Sequence, residues 1–319
     1  MRVLRGLHGR PLYLPGTVVA IGNFDGLHLG HQKILQVLVE QAKKMRLHSV
    51  VLTFSPHPEK VLGERRMGMI QTLEQRLAAI REWGVDAVVL ASFDNAFADL
   101  GPADFAGRIL ASTLKARAVV VGENFRFGKA RQGDVGELIG LGLELGFAVH
   151  PVASAIRSGT VISSSLIRRL LEEGRISAAN SYLGRPYEIE GRVIHGSGRG
   201  HNLGFPTANI KPLNEILPKG VYLTWAKVLG RSYPSLTNIG RRPTFGDGRF
   251  QVEAHILDFN GKLYRRRISL CFLRKLRGEK KYASREDLIR QIQRDIATAR
   301  TFFEKREALA PPAGRHRRD

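Results

Sequence analysis

A parallel α/β sheet followed by an antiparallel β-barrel or sandwich and one long terminal helix is the fold this sequence predicts. Three observations carry that expectation. In the first half, short apolar β-rich runs alternate with segments of helical period, the pattern of strands buried beneath helices. After Gly184-Arg185-Pro186 the texture changes to short alternating runs broken by Gly, Pro and Asn. An amphipathic pattern then runs from Arg285 to Lys305.

Taken in order, strands are predicted at 17–22, 49–54, 86–91, 117–122 and 147–152, with helices at 31–45, 72–83, 102–113 and 134–145 between them. Thr72 with Gln75 forms a capping box at the start of the second helix, and Pro102 suits the first turn of the third. Ser163-Ser164-Ser165 opens a further helix with Leu166, Ile167, Leu170 and Leu171 as its apolar positions, and a short helix covers Ile176 to Leu183. From Tyr187 to Arg277 the chain reads as antiparallel β structure. The expected organisation is one domain over 1–184, a second over 185–309, and a basic, disordered tail over 310–319. No internal repeat is apparent.

The composition agrees with two cores in 319 residues, 43% of them hydrophobic and 25% charged. No apolar run reaches the ~20 residues of a membrane span. The opening Met1-Arg2-Val3-Leu4-Arg5-Gly6 lacks the apolar core of a signal peptide. A single cysteine, Cys271, excludes an internal disulfide and a cysteine-rich metal site, and its place is a buried strand. A cytoplasmic location is expected. The net charge of +21, from 50 basic and 29 acidic residues, suits nucleic acid or polyanionic small substrates alike. No helix-turn-helix, zinc or RNP-type signature accompanies the charge.

The first chemical signal is Gly22-Asn23-Phe24-Asp25-Gly26-Leu27-His28-Leu29-Gly30-His31, at a strand-to-helix junction. A histidine pair alone is common and usually incidental. Here it sits with free amides at a helix start, and glycines at 22, 26 and 30 let a ligand approach the backbone, as a triphosphate site requires. No Gly-Lys-Ser/Thr is present, so the segment is not a P-loop. Ligands of parallel sheets bind beyond the carboxyl ends of the strands. Gly122-Glu123-Asn124-Phe125-Arg126-Phe127-Gly128 and His57 of Ser55-Pro56-His57-Pro58 lie at such ends, although a plain loop histidine accounts for His57 equally well. An ordinary serine cap explains one of Ser163–Ser165 but not the run, and Arg168 follows Ser164 by one helical turn.

In the second half, Gly196-Ser197-Gly198-Arg199-Gly200-His201-Asn202-Leu203-Gly204 turns into an extended run in which Thr207 and Asn209 share a face. The glycines alone would account for a set of turns; the two oxygens also suit a Mg²⁺ held mainly by phosphate. Further on, Glu253 and His255 share one face while Val252, Ala254 and Ile256 point into the β core. A carboxylate on such a face is most often merely solvated, and serves as a base only beside an acceptor hydroxyl.

Seven segments in this order resemble the bacterial bifunctional riboflavin kinase/FAD synthetase family: GNFDGLHLGHQ, FSPHP, GENFRFG, ISSSLIR, GRGHNLGFPTANI, NIGRRPTFG and VEAHILDF, before a terminal helix. The resemblance implies an α/β Rossmann-like nucleotidyltransferase domain followed by an antiparallel flavokinase barrel with a C-terminal helix. In the first, FMN phosphate would attack the α-phosphate of ATP to give FAD and pyrophosphate. In the second, the 5′-hydroxyl of riboflavin would attack the γ-phosphate of ATP.

By position, the resemblance implies that His28 and His31 stabilise phosphate charge, with Ser164 and Arg168 closing on it. Gly22, Phe24, Asp25, Gly26, Gly30, Ser163 and Ser164 would line the first ATP site, and Gly198, Gly200 and Gly204 the second. His57, Asn124, Phe125 and Arg126 would meet flavin, Glu253 would be the kinase base, and Thr207 and Asn209 would hold Mg²⁺. The implied partners are ATP, riboflavin and FMN, with no membrane and no nucleic acid; a weak homo-oligomer stays open. Two departures stand out. Ser-Ser-Ser replaces the family's frequent Ser-Ser-Thr, and Arg265 stands where the family usually has glycine. Retention of only one activity, or a basic nucleic-acid-binding role, are the rival readings.

Overall fold

The computed structural model describes residues 1–7, 16–63, 67–196, 200, 203–241 and 250–309. They form two compact units, Met1–Ile167 and Arg168–Asp319. The tail from Ala310, expected to be disordered, lies outside the described residues.

The first unit is a parallel sheet of β1 (Arg2–Arg5), β2 (Thr17–Ile21), β3 (His48–Phe54), β4 (Ala87–Ala91), β5 (Ala116–Gly122) and β6 (Ala148–Val152), in the order β1-β4-β3-β2-β5-β6. Side chains of each central strand alternate between two apolar cores. Val18 and Ala20 join Leu35, Leu38 and Ile80 on one face, while Val19 and Ile21 join Phe105, Leu110 and Leu138 on the other. Burial on both faces explains why these strands read as unbroken apolar runs. Helices α1 (Leu29–Met45) and α3 (Leu73–Arg81) cover the first face. The second is covered by the helical segment over 102–113 and by α6 (Val135–Leu145).

The chain runs outward from β2 through β3 and β4, then crosses back to place β5 on the other side of β2. A switch point therefore lies between β2 and β5, where the loops after the two strands diverge and leave a crevice.

All five predicted strands are present within a residue or two. The edge strand β1 was not predicted, because two arginines flank only two apolar residues and its partner β4 is far along the chain. The expected helix over 102–113 begins as α5 (Pro102–Asp104), preceded by α4 (Asn95–Ala98), and continues as a π-helix over Phe105–Thr113. Its wider bonding persists at the exit, where the Leu114 amide donates to Ile109 O at 2.9 Å. Helix α2 (Pro58–Val61) and the hairpin of β7 (Ile156–Arg157) and β8 (Thr160–Val161) are too short to show a period.

Helix α7 (Ser164–Glu172) carries the chain from the first unit into the second, since the division falls within it. Helix α8 (Ile176–Leu183), which the sequence groups with the first half, belongs to the second unit. Its Asn180 side chain donates to Phe272 O and accepts from the Tyr187 amide, both at 2.8 Å, fastening the helix to the barrel.

The barrel is closed: β9 (Tyr187–Ile194), β10 (Ala208–Pro212), β13 (Phe250–Ile256), β12 (Arg231–Arg241), β11 (Gly220–Val228) and β14 (Arg267–Arg277) pair antiparallel in that circular order. Closure decides between barrel and sandwich. The fully buried Tyr222, Ile239, Val252, Ala254 and Phe272 help fill the interior, and Thr224 bonds the Ser235 and Thr237 hydroxyls at 2.8 and 2.7 Å. Helix α9 (Arg285–Leu309) lays Ala299 and Phe303 on Leu223, Leu236 and Leu273, with Trp225 edge-to-face on Phe303. Among the described residues no helix is long and apolar enough to cross a membrane.

Candidate active sites

The first site is built on the loop between β2 and α1. Phe24 and Leu27, neither of them glycine, hold positive φ of 51° and 39°. Such conformations cost on the order of 1–2 kcal/mol each and persist only where the surroundings dictate them. Both side chains are buried in the core, and the Leu27 amide closes a turn onto Phe24 O at 3.2 Å. The result is a tight loop that ends with His28 as the N-cap of α1.

His28 Nδ1 accepts from the His31 amide at 3.3 Å, so in the neutral imidazole the proton sits on Nε2. The two rings stack 3.7 Å apart at 18°. Gly30 makes this possible, since a Cβ there would lie 3.1 Å from His28 Cε1. Phe24 supports His31 from the core, with ring centroids 5.2 Å apart, and also packs under Gly22.

Asp25 corrects an expectation. Its fully buried carboxylate accepts from the Ile70 and Gln71 amides at 3.1 and 3.2 Å, so the side chain braces the loop before α3 instead of facing a phosphate. The Phe24 side chain is likewise core rather than ligand-facing. Gly26, with φ 84°, supplies backbone only.

Arg76 of α3, not singled out in the sequence, donates to Asn23 O at 2.7 Å and Phe54 O at 3.0 Å, tying the loops after β2 and β3. Burial lowers its pKa from the usual guanidinium value, and the Asp25 charge opposes that shift. The available signal was a charged residue among the apolar positions Leu73, Leu77 and Ile80 of one helix face. His57, after β3, is buried as the N-cap of α2 and accepts from the Glu59 amide at 3.3 Å.

Across the switch point, Glu123 accepts from the Ser154 amide at 2.9 Å, and Asn124 donates to the Ser154 hydroxyl at 3.2 Å. These bonds to Ser154 hold the Glu123 carboxyl below its ordinary range. Lys33 of α1 reaches Ala153 O at 3.2 Å. Phe125 stacks on Phe127, whereas Arg126 is 3.4 Å from Asp134 in an exposed ion pair of little energetic weight.

Ser163 caps α7 through the Leu166 amide at 3.2 Å, and Ser164 donates to Asp25 O at 2.9 Å, joining that helix start to the histidine loop. The serine run thus divides into a cap and a tie. Arg168 is buried one turn later and opens the second unit.

The second site lies on the outer face of the barrel. Glu253 pairs in register with Asn209 of β10 on one side and Asn238 of β12 on the other. Residues directly opposite share a face, so the three form one row. The Gln251 amide donates to both Asn209 Oδ1 and the Glu253 carboxylate. His255 Nδ1 contacts Pro206 O at 2.8 Å, fixing β13 to the segment that carries Thr207.

Two glycines let the chain pack closely against this face. A Cβ on Gly196 would overlap the Asn209 amide, and one on Gly200 would lie 2.8 Å from Thr207 Oγ1. Gly204 turns the chain with φ 84°, while the expected Gly198 lies outside the described residues. Gln251 was missed, though its alternation with Glu253 and His255 was visible; Asn238 needed the register of β12.

Two family models match the chain, FAD synthetase over residues 11–166 and riboflavin kinase over residues 183–303. A bifunctional riboflavin kinase/FMN adenylyltransferase of Pseudomonas fluorescens is 39% identical over 98% of this chain and 99% of its own length. Its counterpart in Escherichia coli K12 is 38% identical over 95% and 98%. A solved structure from Streptococcus pneumoniae, titled a macrolide-efflux protein, superposes with TM-score 0.85 at 27% identity, covering 94% of this chain and 99% of that one.

Proposed function

The chain belongs to the bifunctional riboflavin kinase/FMN adenylyltransferase family, and we propose how its two sites divide the work. The enzyme phosphorylates riboflavin to FMN and adenylylates FMN to FAD. The observation that carries the division is that each matched segment contains its own arrangement of chemical groups: stacked histidines at the switch point, and a carboxylate between two asparagines on the barrel.

In the adenylyltransferase, an oxygen of FMN phosphate attacks the α-phosphorus of ATP, and pyrophosphate leaves. The nucleophile is already an anion, so positioning and charge neutralisation govern the rate. His28 Nε2–H donates to phosphate oxygen, and His31 supports it as the stacked partner. The open backbone of Gly22, Gly26 and Gly30 and the amides of the α1 and α7 starts accommodate phosphates. His57, Asn124 and Phe125 border the flavin, and Glu123 with Ser154 keeps Asn124 in place.

In the kinase, the 5′-hydroxyl of riboflavin attacks the γ-phosphorus and ADP leaves. A neutral alcohol gains from a base, and Glu253 takes its proton. Mg²⁺ fits the residues present, because the side-chain oxygens of Thr207 and Asn209 are hard donors, and glycine at 196 and 200 lets the chain pack closely against them. When bound, the ion neutralises charge on the transferred phosphate. The location is cytoplasmic in this reading.

Incubation with riboflavin, ATP and Mg²⁺, followed by chromatographic separation of flavins, tests it. FMN should appear first and FAD after it; absence of either product sinks the corresponding half.

A further inference from the structure

We propose that Glu279 belongs to the kinase site and accepts a hydrogen bond from a hydroxyl of the ribityl chain of riboflavin, while the 5′-hydroxyl stands at Glu253. This rests on the kinase reading above. The starting observation is Gly240, near the end of β12. Its φ lies outside the left-handed region, so no backbone demand calls for glycine there. A Cβ at 240 would instead collide with the Glu279 carboxylate. Glycine within a strand weakens it and marks a place where another group comes close.

The register says which face that carboxylate occupies. Gly240 pairs with Gln251, and Asn238 pairs with Glu253, with no bulge between. Glu279 therefore lies on the outward face that carries Glu253, about one two-residue step away, roughly 6–7 Å along the strand. The segment that bears it is held at both ends. Arg277 bonds Asp295 of α9 at 2.8 and 2.9 Å, and Ser284 accepts from the Asp287 amide at 3.1 Å. Among the described residues, the Glu279 carboxylate has neither a hydrogen-bond donor nor a cation beside it.

The order β10-β13-β12 decides what it meets. Thr207 and Asn209 place the phosphates and their ion on the β10 side of Glu253. In-line transfer puts the acceptor alcohol on the side away from the leaving ADP, which is the β12 side, where Glu279 stands. An ionised carboxylate only accepts, and an extended polyol running from its 5′ end presents donors at this spacing.

Steady-state kinase assays of the full chain with riboflavin and its 2′-, 3′- and 4′-deoxy analogues test the assignment. The parental enzyme should disfavour one analogue. Glu279→Ala should raise the KM for riboflavin about 10- to 100-fold, the loss expected for a hydrogen bond to a charged acceptor, and erase that discrimination. Glu279→Gln, which keeps one acceptor, should fall between, and Gly240→Ala should imitate Glu279→Ala by displacing the carboxylate. FMN-to-FAD conversion by the same preparations should stay at the parental rate, reporting an intact fold. Unchanged riboflavin KM and discrimination, or a loss falling instead on ATP or Mg²⁺ dependence, overturns the proposal. A parental chain that makes no FMN overturns the kinase reading itself.

Discussion

Gly30 and His28 exclude a side chain between them: a Cβ on Gly30 would stand 3.1 Å from Cε1 and 3.2 Å from Nδ1 of the imidazole. Gly30 lies in the first turn of α1, where alanine forms helix better by about 1 kcal/mol. Gly30→Ala should therefore keep or raise thermal stability while slowing FAD formation about tenfold, as the His28 ring shifts by tenths of an ångström. His28→Ala should cost ~10²–10³ in the same step. Assays of FMN adenylylation beside a melting curve check both, and unchanged FAD synthesis in His28→Ala would refute its role.

The opposite half responds to Glu253. Glu253→Ala should block FMN formation while FMN added from outside still becomes FAD. Parental riboflavin phosphorylation by this variant would remove Glu253 as the base.

Arg76 is a stability prediction. Its guanidinium is buried and bonds the Asn23 and Phe54 carbonyls within reach of the Asp25 charge, so Arg76→Met strips two buried carbonyls of their donor and removes a positive charge that acts on Asp25. Denaturant unfolding should show a loss of about 3–5 kcal/mol. A loss below 1 kcal/mol would mean that the Asn23 and Phe54 carbonyls do not depend on the guanidinium.

Arg265 holds φ 64° while its amide donates to Val193 O at 2.9 Å, a left-handed turn that glycine adopts without strain. Arg265→Gly should stabilise the barrel by about 1 kcal/mol, roughly 2–4 °C in Tm. A lower Tm would mean that the arginine side chain contributes more than its backbone strain costs.

Cys271 pairs with Glu188 and Trp225 across its strands, and burial pushes its thiol up to about 12. The raised value keeps the thiol protonated through pH 7–9, so a thiol reagent should label the native chain far more slowly than the unfolded one. Rapid native labelling at pH 8 would contradict the burial.

Much of this was legible in the chain because it depends on local period. The unbroken apolar runs marked β2 to β5, the capping box marked α3, and alternation placed Val252 and Ala254 inward with Glu253 outward. The histidine-glycine segment, placed at a strand-to-helix junction, marked a candidate phosphate site. Nothing local announced β1, whose pairing with β4 is long-range, or the π-helical turn over Phe105–Thr113. Asp25 was misread for a related reason: an acidic residue in a glycine loop looks available to ligand until Ile70 and Gln71 are seen to occupy it.

By itself, then, the sequence determined the order of elements, the two kinds of β structure and the residue types able to handle phosphate, since each follows from spacing along one strand or helix. Tertiary structure decided which of these residues come together. Strand order put the β2 and β5 loops beside one crevice, closure and register set Glu253 between Asn209 and Asn238, and burial turned Asp25 inward. Those outcomes depend on which distant segments come into contact, and residue period carries no record of that.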